Sequence, residues 1–166
     1  MTEDRKQNFS TPAKRPYQQA MNTAVRILAN RDHSKYELKQ KLRQRGFTSK
    51  VIDTVMLECE RFNYINDPRT AHVYISQLKR KCFGKRYIRM ALKKKRLSDT
   101  ASENILLENY PDADEFEKAG KLLEKKMEAF EREADQKKRR EKMYRFLYAR
   151  GFKTEIIIDL IRNLVK

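Results

Sequence analysis

Between Lys79 and Arg96 the chain places ten basic residues and no acidic one. Within that run Arg86, Arg89, Lys93 and Arg96 are spaced 3, 4 and 3 apart, which puts four cations on one helical face, opposite Ile88 and Leu92. Groups of this kind neutralise phosphates or carboxylates; they break no bonds. On nucleic acid such a face would release counterions, so binding should weaken steeply with salt. A one-signed face without counter-charges also repels itself, so a partner of opposite charge is expected there.

Two further sets of cations recur at fixed distances before apolar anchors. Lys35, Lys85 and Arg140 form one column, and Arg45, Lys95 and Arg150 form another. Lys39 and Arg43 support the first copy. The run Lys137-Lys138-Arg139-Arg140 is weaker, because Glu141 and the acidic helix before it can neutralise it. Tyr36, Phe83 and Tyr87 lie beside basic residues and could stack on unpaired bases, although core packing is the plainer role for each.

Other chemistries find no support. The four glycines never cluster as a phosphate loop. His33 and His72 have no Cys or carboxylate at ligand spacing, so no metal site is expected, and His33 suits an interhelical turn. Cys59 and Cys82 are too few for a disulfide framework. No nucleophile–base set can be assembled, so neither catalysis nor a cofactor is expected. The chain lacks a long apolar run, so no membrane span is expected, and its first residues do not resemble a secretory signal. A cytoplasmic protein follows. The 39 Lys and Arg against 23 Asp and Glu give a net charge of +16, which implies polyanionic partners.

The elements that must hold these cations are helices. Ser34–Phe47 reads as a complete one: Ser34 and Glu37 form a capping box, Leu38 and Leu42 share a face, Gly46 suits a left-handed end, and Phe47 folds back. A helix over about 17–31 precedes it, and one capped by Thr48 or Ser49 follows. Asp67-Pro68 starts the next, with Asp as cap and Pro at the first helical position. Gly84 precedes the helix carrying Ile88 and Leu92, and Ser98 or Asp99 caps another. A long charged helix is expected from about Asp114 to Asp135 or beyond, then Lys137–Arg150, then a last helix capped by Thr154.

This pattern is a repeat. Leu38, Leu42 and Phe47 return as Ile88, Leu92 and Leu97, then as Met143, Leu147 and Phe152. The following helix repeats Val51, Val55 and Met56 as Ala101, Ile105 and Leu106, then as Ile156, Leu160 and Ile161. The preceding helix repeats Ala24, Ile27 and Leu28 as Ala71, Tyr74 and Ile75, then as Ala119, Leu122 and Leu123. Repeats of this length mark an array whose neighbours share a core. The expected fold is all-α: an elongated, curved array of three tandem three-helix modules over 17–66, 67–111 and 112–166, after a flexible tail at 1–16.

The residues AVRILANRDHSKYELKQKLRQRGF, from Ala24 to Phe47, resemble the RecX family of bacterial recombination regulators. NYINDPRTAHVYISQL and the spacing of Gly84, Ile88 and Leu92 resemble its second module, and RFLYARGFKTEIIIDLI its third. Asn63 and Arg96 stand where the family pattern has Gly, so the helix end at Arg96 is expected to be shaped differently. The resemblance implies a non-catalytic protein that binds the RecA recombinase and its filament on single-stranded DNA. It would limit filament growth, strand exchange and ATP hydrolysis, and so modulate recombinational repair and the SOS response. The expected contacts are Arg86, Arg89, Lys93 and Arg96, with the other column cations in support, to the recombinase and to single- or double-stranded DNA. A monomer is expected when free. The rival readings are a helical nucleic-acid-binding protein without a recombinase partner, a nuclease-like enzyme, and a structural adaptor.

Overall fold

The computed structural model describes residues 14–164, and among them every regular element is a helix. The expected tail at 1–16 lies mostly outside the described residues; its last three, from Lys14, instead form the first turn of α1 (Lys14–Asn30). Pro16 is tolerated there because first-turn amides need no intrahelical acceptor. The chain continues through α2 (Lys35–Gln44), α3 (Ser49–Arg61), α4 (Asp67–Arg80), α5 (Lys85–Lys94), α6 (Thr100–Asn109), α7 (Asp112–Glu124), α8 (Met127–Glu131), α9 (Gln136–Ala149) and α10 (Thr154–Leu164). No helix among the described residues is long and apolar enough to cross a membrane.

The chain divides after Asp67 into two compact units. In the first, α1, α2 and α3 enclose Ala20, Ala24, Leu38, Leu42, Ile52, Val55 and Cys59, all inaccessible to solvent. The capping box forms in full: Ser34 Oγ accepts the Glu37 N–H at 3.1 Å, and Glu37 Oε2 accepts the Ser34 N–H at 3.1 Å. Thr48 caps α3 by accepting the Val51 N–H. His33 is buried in the turn, its Nδ1 paired with the Arg31 carbonyl at 2.8 Å.

The second unit holds two apolar clusters. One gathers Ala71, Ile75, Ile88, Leu92, Leu97 and Leu106 from α4–α6, and the other gathers Ala119, Leu123, Met143, Leu147, Phe152 and Ile157 from α7–α10. The repeat columns lie in these cores with one displacement. Ala101 is exposed and Val51 half-buried, whereas the next position, Ile52, Ser102 and Ile157, is buried in all three copies. Ser102 hides that column in the sequence because it is polar. The long helix expected from Asp114 is also broken. It starts at Asp112, stops at Glu124, and resumes as the short α8, which turns Met127 and Phe130 onto α9, where Phe130 meets Phe146 edge-on at 5.7 Å.

The second helix of each copy ends identically, including the one expected to differ. Gly46, Arg96 and Gly151 are all left-handed, with φ of 82°, 56° and 81°. In each case the next N–H reaches back five residues: Phe47 to Leu42, Leu97 to Leu92, Phe152 to Leu147. The backbone therefore keeps a glycine geometry at Arg96 against its Cβ. Asn63 and Cys82 take the same conformation after α3 and α4. Replacing Arg96 by Gly should raise stability by about 0.5–1 kcal/mol, the left-handed penalty less the added freedom of an unfolded glycine. The check is a higher urea midpoint with an unchanged slope.

Candidate functional site

The α5 cations do not share one fate. Lys85 begins the helix and is buried, 1% exposed. Its N–H donates to Glu115 Oε1 at 2.9 Å, and its ammonium bonds Asp112 and lies 3.8 Å from Glu115 Oε2. Glu115 is itself inaccessible, and burial pushes its carboxyl above the usual range while the Lys85 N–H pulls the other way. Asp112 is drawn down to about 2 by the ammonium groups of Lys85 and Lys153. Lys79 joins the group through Asp114 at 2.6 Å, and both Lys79 and Lys85 sit over the Tyr110 ring, at 5.1 and 5.9 Å. The Lys85 side chain thus belongs to an internal joint between the start of α5 and the start of α7, not to a contact face. In the first unit the same position, Lys35, donates its N–H to Asp67 Oδ1 at 2.8 Å and its ammonium to Glu60, half-exposed. The third copy, Arg140, is exposed.

Arg86 of α5 reaches α9, and Arg150, just past the end of α9, reaches the turn between α4 and α5. The Arg86 guanidinium lies 3.6 Å from the Tyr148 ring centre and donates to the Tyr148 carbonyl. Arg150 donates to the Lys81 carbonyl at 3.2 Å and covers the Phe83 ring at 5.1 Å. Backbone contacts bring them together: Gly84 N–H donates to the Arg150 carbonyl at 2.9 Å, and Arg86 N–H to Gly151 at 3.0 Å. Phe83 and Tyr87 stack on one another at 4.0 Å, so both serve packing.

Arg89 grips Glu103 of α6 with two nitrogens at 2.6–3.1 Å, and the guanidinium holds the Glu103 carboxyl below its usual range. Lys95 lies over Tyr74 at 4.8 Å. Lys93, Lys94 and Arg96 are exposed at the end of α5, and Arg80 and Lys81 are exposed at the end of α4. Lys93 and Arg89 border a shallow groove of about 260 Å³ that Asp99 and Glu103 also line. In the first unit Lys39 pairs with Asp53 at 2.7 Å, Arg45 donates to the Lys41 carbonyl, and Arg43 is exposed.

The one-signed run of Lys79–Arg96 is therefore answered in three dimensions by Glu103, Asp112, Asp114 and Glu115. Of the four cations on that face, Lys93 and Arg96 are exposed, whereas Arg86 and Arg89 are half-buried. Sequence reasoning missed Tyr148, Glu103 and the acidic start of α7, since all lie on other elements. Asp112, Asp114 and Glu115 could have been noticed as an acidic first turn, which favours a helix N-terminus and invites cations.

Comparison with known proteins places this arrangement. Residues 20–59 match the family model for the first three-helix domain of RecX, and residues 113–161 match that for its third. The regulatory protein RecX of Vibrio vulnificus (strain CMCP6) is 37% identical over 142 residues, covering 86% of this chain and 90% of that protein. The regulatory protein RecX of Cronobacter sakazakii is 32% identical over 165 residues, covering 93% and 97%. The crystal structure of RecX from Lactobacillus salivarius superposes with a TM-score of 0.79 at 24% identity, over 90% of this chain and 96% of that one. A second crystal structure of regulatory protein RecX reaches 0.81 at 17% identity, over 98% and 79%. Capped and repeated helices, internal joints between them and this degree of kinship agree: the chain belongs to the RecX family of regulatory proteins.

Proposed function

We propose that this chain binds the RecA recombinase and its filament on single-stranded DNA, and limits filament growth, strand exchange and the linked ATP hydrolysis. In the cell it would thereby moderate recombinational repair and the SOS response, acting in the cytoplasm as a monomer without catalysis or cofactor. The observation that carries this reading is the kinship at 37% identity over 86% of the chain with a regulatory protein RecX. The net charge of +16 supports a polyanionic partner. We read the helices as three modules that end near residues 66, 111 and 166. In this reading the exposed cations at the end of α5 meet acidic protein surface or phosphate.

The test adds the protein to preformed RecA filaments on single-stranded DNA across a salt series and follows filament loss and ATP hydrolysis together. Filament loss should rise and ATP hydrolysis should fall with added protein, and less so at high salt. Unchanged hydrolysis and intact filaments at saturating protein would end the proposal. Lys93→Glu with Arg96→Glu should weaken the inhibition several-fold without loss of helicity. If DNA contact contributes, each lost phosphate contact should flatten the salt slope by about 0.7 on a single strand. The exposed cations also favour a second reading, a nucleic-acid-binding protein that needs no recombinase. Binding to DNA-free RecA counts against it.

A further inference from the structure

A cleft of about 490 Å³ opens between α9 and α10, within the size range of sites that seat small ligands and peptide side chains, about 300–1,000 Å³. Its floor is apolar: Ile158, Ile161 and Tyr144 line it, and Ile158 is 44% exposed although it sits in the apolar helix α10. Tyr144 is held there by stacking on Tyr148 at 5.7 Å, and Tyr148 in turn carries Arg86 on its ring. The rim is cationic, formed by Arg140, Arg145 and Arg162. Glu141 is the one acidic residue in the lining, and it is paired with Arg145 at 3.0 Å. Arg162 reaches Asp159 at 3.8 Å. Both pairs are solvent-exposed and so worth little. Either guanidinium can exchange its partner for a carboxylate held in the two-bond geometry that arginine prefers.

We propose that this cleft is a docking site for an acidic peptide segment of a protein partner, one that seats a large apolar side chain on Ile158 and Ile161 and sets flanking carboxylates on the arginine rim. Charge complementarity and the aliphatic floor together select that occupant. A nucleic-acid strand would meet the arginines but carries no large aliphatic side chain for the Ile158–Ile161 floor, and its phosphates would face Glu141. A second copy of this chain would bring arginine rim against arginine rim, on a molecule of charge +16. An amphipathic segment that offers an apolar anchor between acidic residues fits a cleft lined by two helices. The inference is independent of the recombinase reading, because the chemistry of the cleft is the same whichever protein supplies the segment.

The experiment is selection of a phage-displayed library of random dodecapeptides against the full chain, with counter-selection on Ile158→Asp. Ile158 and Arg162 are surface residues, so both Ile158→Asp and Arg162→Glu should keep parental helicity, which circular dichroism checks first. Enriched sequences should place Leu, Phe or Trp between Asp or Glu. Synthetic versions should bind at least about tenfold more weakly to either variant, as expected of an anchor contact, and should shift the Ile158 and Ile161 methyl resonances. The proposal is overturned if no enriched peptide distinguishes parent from variants, or if the enriched sequences lack acidic residues. It is equally overturned if a thymidine oligonucleotide moves those methyl signals and the peptides do not, or if the parent self-associates and Ile158→Asp disperses it.

Discussion

Replacing Gly151 by Ala should destabilise the second unit by roughly 2–5 kcal/mol, the sum of a left-handed backbone penalty and an overpacking penalty. Gly151 has φ of 81°, where a Cβ is strained by its own backbone. It also packs against Tyr87 so closely that an added Cβ would lie 2.8 Å from the Tyr87 Cα and nearer still to its Cβ and N. Neither side can give way, because the contact is backbone against the first turn of α5. Gly46 is the matched control. It has φ of 82° and nothing within 4 Å of an added Cβ. Gly46→Ala should therefore show only the left-handed penalty, about 1–2 kcal/mol. Gly84→Ala is the converse: its φ is ordinary, but its Cβ would enter the Gly151 carbonyl and the Phe152 N. Urea unfolding of the three variants separates the contributions. Equal losses for Gly46→Ala and Gly151→Ala would mean that the approach of α5 to Gly151 adds no stability.

That pair of glycines also shows what the chain reveals to a reader and what it withholds. The end of each second helix is written locally: an apolar pair four apart, then Gly or a tolerated substitute, then an apolar anchor. Such signals need only a few consecutive residues, so the repeat and the fold class are legible. At Arg96 the local rule failed in detail, because the surrounding helices impose the left-handed turn whatever residue occupies it. The partner of Gly84, by contrast, is 67 positions away, and no spacing rule links the two. The candidate site suffers more. A run of like charges says that cations are concentrated, but not where their counter-charges come from. Arg89 found Glu103, Lys79 found Asp114, and Lys85 went inside. An argument from self-repulsion assumes that nearest charges in sequence are nearest in space, which a helical array with acidic first turns does not obey.

The buried Lys85 leads to the second large effect. Lys85→Met should cost about 3–5 kcal/mol near neutral pH, since it leaves the inaccessible Glu115 carboxylate without its nearby cation. Methionine fills most of the volume, so the loss measures charge more than packing. The charged groups facing the site are Lys79, Asp112, Asp114 and Lys153, with the Tyr110 ring beside them. None of the other cations reaches Glu115 as Lys85 does through both its N–H and its ammonium. The pH dependence gives the diagnosis. Burial raises the folded-state value of Glu115 above its ordinary 4.5, and removing the ammonium raises it further. A carboxyl raised in the folded state favours folding below the unfolded value and loses that advantage as pH rises through the folded one. The Lys85→Met penalty should therefore shrink on acidification toward pH 4.5. Asp112 works in the opposite sense. Drawn down to about 2 from 3.8, it stabilises the fold above 3.8 and loses that contribution as pH falls toward 2. Its effect appears in more acid solution, so the two can be separated by unfolding both proteins from about pH 7 down to about pH 3. Adding Glu115→Gln to Lys85→Met should recover a large part of the loss at neutral pH, because the amide oxygen still accepts the residue-85 N–H while the buried charge is gone. A penalty that is independent of pH and unrelieved by Glu115→Gln would show that residue 85 acts through packing alone, and that the joint between α5 and α7 does not depend on its ion pairs.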